Sequence, residues 1–313
     1  MKYQTLGVIM HDTCNAECKI CSLSCSPKSK NSLNIDRLKD FIMSCKNTSI
    51  VQVSFTGGEP FLRYEELKEL IKFTVSQGFY CNVVTNAFWA YDENQATNII
   101  SELKAIGLSS INFSVDNFHI EYISKQAVFN AIKACKAYDL PVVVAMCKLK
   151  NERLGNLIDE LDADYPSLNI LINSCLPAGR SKQTIERERF ALSPLANNLK
   201  CPYGGIVTIH PTGKIYPCCG HEVFATCLEI GDYEHLLYPD AIKKIRNNSI
   251  LYILRNYGLG PFVQWFPDIA CRGESEFASP CEICSNLFEN DFRFMIPKVK
   301  DFIDEKCHNI SLK

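Results

Sequence analysis

The chain has 313 residues, 47% hydrophobic and 22% charged, a globular composition with room for one large α/β domain or for a large domain and a smaller one. Its formal net charge of −2 leaves no basic excess for a nucleic-acid backbone, which excludes nucleic acid as the main partner. No apolar run approaches the roughly 20 residues that span a bilayer. Leu6–Met10 is too short for a signal sequence, and His11 and Asp12 follow it at once, so a cytoplasmic protein with no membrane partner is expected.

Short apolar runs rich in Val and Ile recur at Thr5–Met10, Ile50–Phe55, Tyr80–Thr85, Ile111–Val115, Val142–Cys147 and Asn169–Asn173. They read as buried parallel strands. Helical periodicity lies between them. In Tyr64 to Gln77, the residues Leu67, Leu70, Ile71 and Val75 share one face, and Gly78 suits the C-cap. Asp92 to Ile106 and Ile120 to Tyr138 read the same way. These β/α units in series predict an α/β fold, an open partial (β/α)6 TIM-like barrel, over residues 1–180. Barrel chemistry gathers at the C-terminal ends of strands, so the residues just after each run are the candidates. Residues 181–200 are charged, carry Pro194 and Asn197-Asn198, and read as a linker. Ile206–His210 and Lys214–Tyr216, joined by Pro211-Thr212-Gly213, predict a hairpin. Asp240 to Tyr257 reads as one helix. Residues 201–313 are expected to form a second domain.

Seventeen cysteines stand out. In a cytosolic chain they point to metal ligation or reactive thiols, and an odd count cannot be fully paired. Most, such as Cys135 and Cys147, read as small buried hydrophobes. Two groups do not. Cys14-x3-Cys18-x2-Cys21 directly follows the first strand. Three thiolates at that spacing can hold three irons of a 4Fe–4S cube and leave the fourth iron open. Closely spaced cysteines also suit tetrahedral zinc, with Cys25 as a fourth ligand. Cys201-x16-Cys218 and Cys281-x2-Cys284 supply four more, enough for a closed cluster or a zinc ribbon. Cys227 and Cys271 could replace one of these four.

Cys14, Cys18 and Cys21 resemble the defining C-x3-C-x2-C motif of the radical S-adenosylmethionine (SAM) superfamily. Gly57-Gly58-Glu59-Pro60, after the second strand, resembles that family's GGEP motif, which binds the SAM amino group. Thr85-Asn86, Ser114, Asp116 and Pro177-Ala178-Gly179-Arg180 also sit where the family contacts SAM. Each taken singly is a turn or a cap; together they run through residues 5 to 180 in the family's order. The resemblance implies a 4Fe–4S cluster, SAM as co-substrate and an electron donor such as flavodoxin or ferredoxin. It also implies reductive cleavage of SAM to methionine and a 5′-deoxyadenosyl radical that takes an unactivated hydrogen atom.

Tyr216-Pro217-Cys218-Cys219 and Cys281-Glu282-Ile283-Cys284 look like the SPASM or twitch extensions of peptide-modifying members, which implies a second 4Fe–4S cluster on Cys201, Cys218, Cys281 and Cys284. Ser54–Pro60, Ser114–His119, Ile206–Cys219, Ser249–Gly258 and Pro280–Phe288 are similar to one subgroup, the radical SAM peptide epimerases of bacterial ribosomal peptides. That similarity implies a precursor peptide as substrate and conversion of L- to D-residues. It assigns Cys219 the return of a hydrogen atom to the opposite face of the Cα radical. The alternative is that Cys219 ligates iron and Cys218 packs in the core, since adjacent side chains of an extended segment face opposite ways. The family's acidic residue before the hairpin is replaced here by Gly205, which leaves Tyr203 or His210 for proton work. A different maturase, forming thioether or carbon–carbon crosslinks, is the rival reading. The first strand begins near residue 5, so no N-terminal leader-recognition domain is expected.

Overall fold

The computed structural model describes the backbone of residues 3–201 and 205–311. Six strands follow one another in the sheet in chain order, all parallel: β1 (Thr5–Ile9), β2 (Gln52–Thr56), β3 (Tyr80–Thr85), β4 (Ser110–Ser114), β5 (Val142–Lys148) and β6 (Asn169–Ser174). Each expected strand is present within two residues of its expected ends. The connecting helices are α1 (Ile35–Ser44), α2 (Tyr64–Ser76), α3 (Glu93–Ala105), α4 (Lys125–Ala137) and α5 (Gly155–Asp164). This is the mixed α/β partial barrel that the alternation of elements predicted.

The strands alternate in what they bury. Leu6 and Val8, Val53 and Phe55, Cys81 and Val83, and Ile111 and Phe113 are fully enclosed. The intervening positions carry a polar belt. Ser54 Oγ donates to Asn82 Oδ1 at 3.0 Å, and Asn82 Nδ2 donates to Ser110 Oγ at 2.9 Å and Asn112 Oδ1 at 3.2 Å. In β2 to β4 one face thus builds the apolar core and the other lines a polar interior.

Two helices differ from expectation. The predicted helix from Ile120 begins only at Lys125. Asp116 takes up the backbone N–H groups of Phe118 and His119, which holds the chain in a turn first. The predicted helix 240–257 is two helices, reached after α6 (Ser181–Thr184): α7 (Tyr238–Arg246) and α8 (Ser249–Asn256). Asn248 ends the first by capping the second, its side chain accepting from Leu251 N at 3.0 Å.

The hairpin past Cys201 is present as β7 (Ile206–Ile209) and β8 (Lys214–Tyr216). It is not detached from the barrel. β7 pairs parallel with β1, and β9 (Gly231–Asp232) pairs with β8, so nine strands form one sheet in the order β9-β8-β7-β1-β2-β3-β4-β5-β6. One core cluster runs from Tyr3 to Val299, and a second gathers Cys14, Cys18, Cys25, Phe118 and Phe190. Segment 181–200 is anchored outside itself: Ser193 and Pro194 pair antiparallel with Phe277 and Glu276, and Arg187 donates to Glu276 O at 2.6 Å. The chain ends in α9 (Gly260–Trp265), α10 (Pro267–Cys271), α11 (Pro280–Phe288) and α12 (Ile296–Ser311). Among the described residues, no helix is long and apolar enough to cross a membrane.

Candidate active site

The loop between β1 and α1 carries Cys14, Cys18 and Cys21. Cys14 and Cys18 are buried and Cys21 is half-buried. Backbone N–H groups point at two of the sulfurs: Ala16 N lies 3.4 Å from Cys14 Sγ, and Cys25 N lies 3.3 Å from Cys21 Sγ. Burial pushes the Cys14 thiol up to about 11 and the Cys18 thiol up to about 12. Cys21 is drawn down, chiefly by a hydrogen bond from the Cys25 thiol. The three thiols perturb one another electrostatically, so they share one neighbourhood. Among the described residues, no three His, Cys, Asp or Glu donors converge as around a single ion. Tetrahedral zinc needs that convergence. A four-iron cube does not, because each thiolate takes a different iron, and the N–H groups aimed at sulfur suit ligand thiolates.

The loop is held from several sides. Gly58 N donates to His11 O at 2.7 Å and Glu59 N to Thr13 O at 2.9 Å, extending the β1–β2 pairing into the loop. The approach is too close for a side chain: a Cβ on Gly58 would lie 2.0 Å from Thr13 O, and one on Gly57 2.7 Å from His11 O. Arg180 commits its guanidinium to loop carbonyls, donating to Cys18 O at 2.8 Å, Ser24 O at 3.0 Å and Cys25 O at 2.6 Å. Gly179, with φ +56°, sits so close to Ser22 that a Cβ would lie 2.2 Å from its carbonyl oxygen. Asn86 Nδ2 donates to Asn15 Oδ1 at 2.9 Å.

Glu59 is buried and joins the ends of β2 and β3. Its carboxylate accepts from Thr85 Oγ1 at 2.7 Å, Asn86 N at 2.7 Å and Phe61 N at 3.1 Å. Burial lifts it to about 7 against the pull of those bonds. Pro60 opens the short turn that Glu59 caps. Ser114 ends β4, half-buried, opposite Ala145. Asp116 is enclosed and accepts from His119 Nδ1 at 2.8 Å and Cys147 N at 3.0 Å. Burial opposes its ionisation, but the His119 contact and these N–H groups hold it below the usual carboxylate range. Sequence reasoning named Asp116 and missed His119; the D-x-x-H spacing was the available signal.

The thiols of Cys218, Cys219, Cys281 and Cys284, far apart in the chain, are each raised first by burial and in part by Cys201. Cys284 feels Cys218, Cys281 and Cys201, and Cys218 feels Cys201, Cys281 and Cys219. The Cys227 thiol lies 3.8 Å from Glu289 O, and Cys271 has Asp268 as its charged neighbour. Glu222, missed in the sequence, is buried beside Cys281 and Cys284; burial raises it to about 8, and its Oε1 has no hydrogen-bond partner. His210 is tied into its own turn through Thr212 Oγ1 at 2.8 Å. Gly205 O accepts from Gln4 N at 3.0 Å. Tyr203 lies outside the described residues.

Residues 8–162 match the family profile of the Radical SAM superfamily. This chain belongs to the radical SAM superfamily. Among curated proteins, this radical SAM chain is 24% identical to a peptide biosynthesis protein of Bacillus subtilis (strain 168), YydG, over 97% of this chain and 99% of the relative. It is 27% identical to the PqqA peptide cyclase of Bradyrhizobium diazoefficiens over 51% of this chain and 44% of that protein. Two solved structures share the fold at 16% identity. One is anSMEcpe with bound AdoMet, with a TM-score of 0.57 over 95% of this chain and 98% of that one. The other is BtrN in complex with AdoMet and 2-DOIA, with a TM-score of 0.51 over 82% and 89%.

Proposed function

We propose that this radical SAM enzyme is a peptide epimerase, which inverts Cα centres of a ribosomally made precursor peptide. Similarity to a peptide biosynthesis protein runs over 97% of this chain and supports a peptide substrate. Cys14, Cys18 and Cys21 would hold the first 4Fe–4S cluster. Gly57, Gly58, Glu59, Pro60, Asn86, Ser114, Asp116 and Arg180 would form or brace the SAM pocket beside it. Bound SAM, with the cluster reduced by a flavodoxin or ferredoxin, supplies the one-electron chemistry that removes a Cα hydrogen. Cys201, Cys218, Cys281 and Cys284 would hold a second cluster.

The observation that carries the epimerase reading is the position of Cys219. His221, two residues on, has Nδ1 2.9 Å from Ser22 Oγ, and Ser22 is next to Cys21. The Cys219 segment therefore lies against the first cysteine loop, although the two are about 200 residues apart in sequence. Burial raises both the Cys218 and the Cys219 thiols, and both feel Cys201, so replacement of Cys219 is what separates ligand from donor.

The test is Cys219→Ala with the peptide under anaerobic conditions. The variant should keep about eight irons, from two four-iron cubes, and should still form deoxyadenosine, but no D-residue product. Wild-type product made in deuterated buffer should gain about one mass unit, by exchange at the thiol. Loss of four irons from the variant would instead make Cys219 a ligand. The match to a peptide cyclase keeps crosslinking as the second reading; it removes two hydrogens from the peptide, where epimerisation leaves mass unchanged in ordinary water.

A further inference from the structure

The contact between Ser22 and His221 joins two segments that neither the strand pairing nor the apolar core brings together directly. Ser22 follows the third cysteine of the first loop. His221 ends the run Cys218-Cys219-Gly220-His221. His221 is an exposed residue, and its contact to Ser22 is made at the surface.

The segment it anchors is held on its other side by Cys218, packed against the main core, and by Gly220 O, which accepts from Val223 N at 3.0 Å. Residues 217–220 lie outside any helix or strand, between the end of β8 and the short turn at Val223–Ala225. The His221 ring makes its hydrogen bond through Nδ1 to Ser22 Oγ. On the other side Ser22 is braced: Gly179 packs on its carbonyl, and Arg180 holds Cys18, Ser24 and Cys25 around it. A hydroxyl on a braced loop facing an imidazole makes a latch, with the cysteine loop as the fixed half.

We infer that His221 is a positioning residue: through Ser22 it latches the Cys219 thiol over the mouth of the barrel. This rests on the epimerase reading for its chemical purpose, though the latch itself is a geometric claim. A hydrogen donor set even an ångström off line loses the competition with other fates of the radical. Loosening the latch should therefore uncouple the reaction rather than stop it.

The experiment compares His221→Leu, His221→Asn, Ser22→Ala and the double variant His221→Leu/Ser22→Ala in the reconstituted enzyme. Iron content is measured first. Two readouts follow: deoxyadenosine formed per D-residue formed, and the alkylation rate of Cys219 by N-ethylmaleimide, located by peptide mass spectrometry. His221→Leu and Ser22→Ala should each keep wild-type iron. Each should raise both readouts about threefold to tenfold, the range one net hydrogen bond sets. The double variant should be no worse than either single one, because both remove the same contact. His221→Asn should recover much of the loss, since its amide can still pair with the serine hydroxyl. Unchanged alkylation of Cys219 in both single variants overturns the latch. Changed alkylation in a protein whose wild type makes no D-residue keeps the latch and sinks the epimerase reading. Loss of iron in both single variants assigns the pair to cluster assembly and overturns the positioning role.

Discussion

Substitution of Gly58 by Ala probes how the barrel holds its first cysteine loop. The new Cβ would stand 2.0 Å from Thr13 O, 2.3 Å from Thr13 C and 2.9 Å from Asp12 C, all backbone atoms. Carbon contacts are comfortable only near 3.5–4.0 Å, at about twice the closest of these separations. No rotamer change can relieve the overlap, so the loop backbone must move by more than an ångström. That movement breaks Gly58 N to His11 O and Glu59 N to Thr13 O, the two bonds that fasten the loop to β2. Two net hydrogen bonds at about 1 kcal/mol each, with overpacking of a similar size, give about 2–4 kcal/mol. Most of this falls on the loop rather than the sheet. Gly58→Ala should keep its circular dichroism and lose several degrees of melting temperature. It should also bind about four irons instead of about eight. Gly260→Ala is the control, since nothing lies within 4 Å of its added methyl and α9 should accept it. Full iron loading and wild-type SAM affinity in Gly58→Ala would refute the argument that close approach here anchors the cluster loop.

Arg180→Met removes three charge-assisted bonds to loop carbonyls. It should speed hydrogen exchange in residues 14–26 by about tenfold or more; Arg180→Lys should rescue little, because one ammonium cannot replace a planar fork. Unaltered exchange in Arg180→Met would show that the clamp is redundant. Glu59 makes stability depend on pH in a defined direction. Its carboxyl rises from 4.5 to about 7 on folding, so between those values the folded state binds a proton that the unfolded state does not. Its stabilising contribution is complete below about pH 4.5 and is lost as pH rises through about 7, up to about 3 kcal/mol in all. Denaturant titrations of cluster-free protein at several pH values should show this fall, and Glu59→Gln should flatten it. An equal slope in the variant would assign the fall to other groups.

Much of this protein is legible in its sequence, because the signals are local. Strand runs, the helical periodicity of Tyr64 to Gln77 and the hairpin around Thr212-Gly213 each depend on neighbours within a few residues. So does the spacing of Cys14, Cys18 and Cys21, where three thiols on one short loop must share a neighbourhood whatever the rest of the chain does. The glycines at 57 and 58 could be named as special, but not the reason. That reason is the backbone of His11 and Thr13, more than forty residues away. Tertiary structure alone set the work of the polar groups. Arg180 and Glu59, candidates for touching SAM, are hydrogen-bonded into the walls. Asp116 faces His119 and Cys147 rather than open space. The hairpin joins β1 because the barrel leaves that edge unpaired. Ser22 meets His221 only once the sheet has carried the two ends of the chain together. A hydrogen-bond partner chosen across 100 or 200 residues leaves no period and no spacing in the sequence, since it is settled by which surfaces the folded core brings into contact.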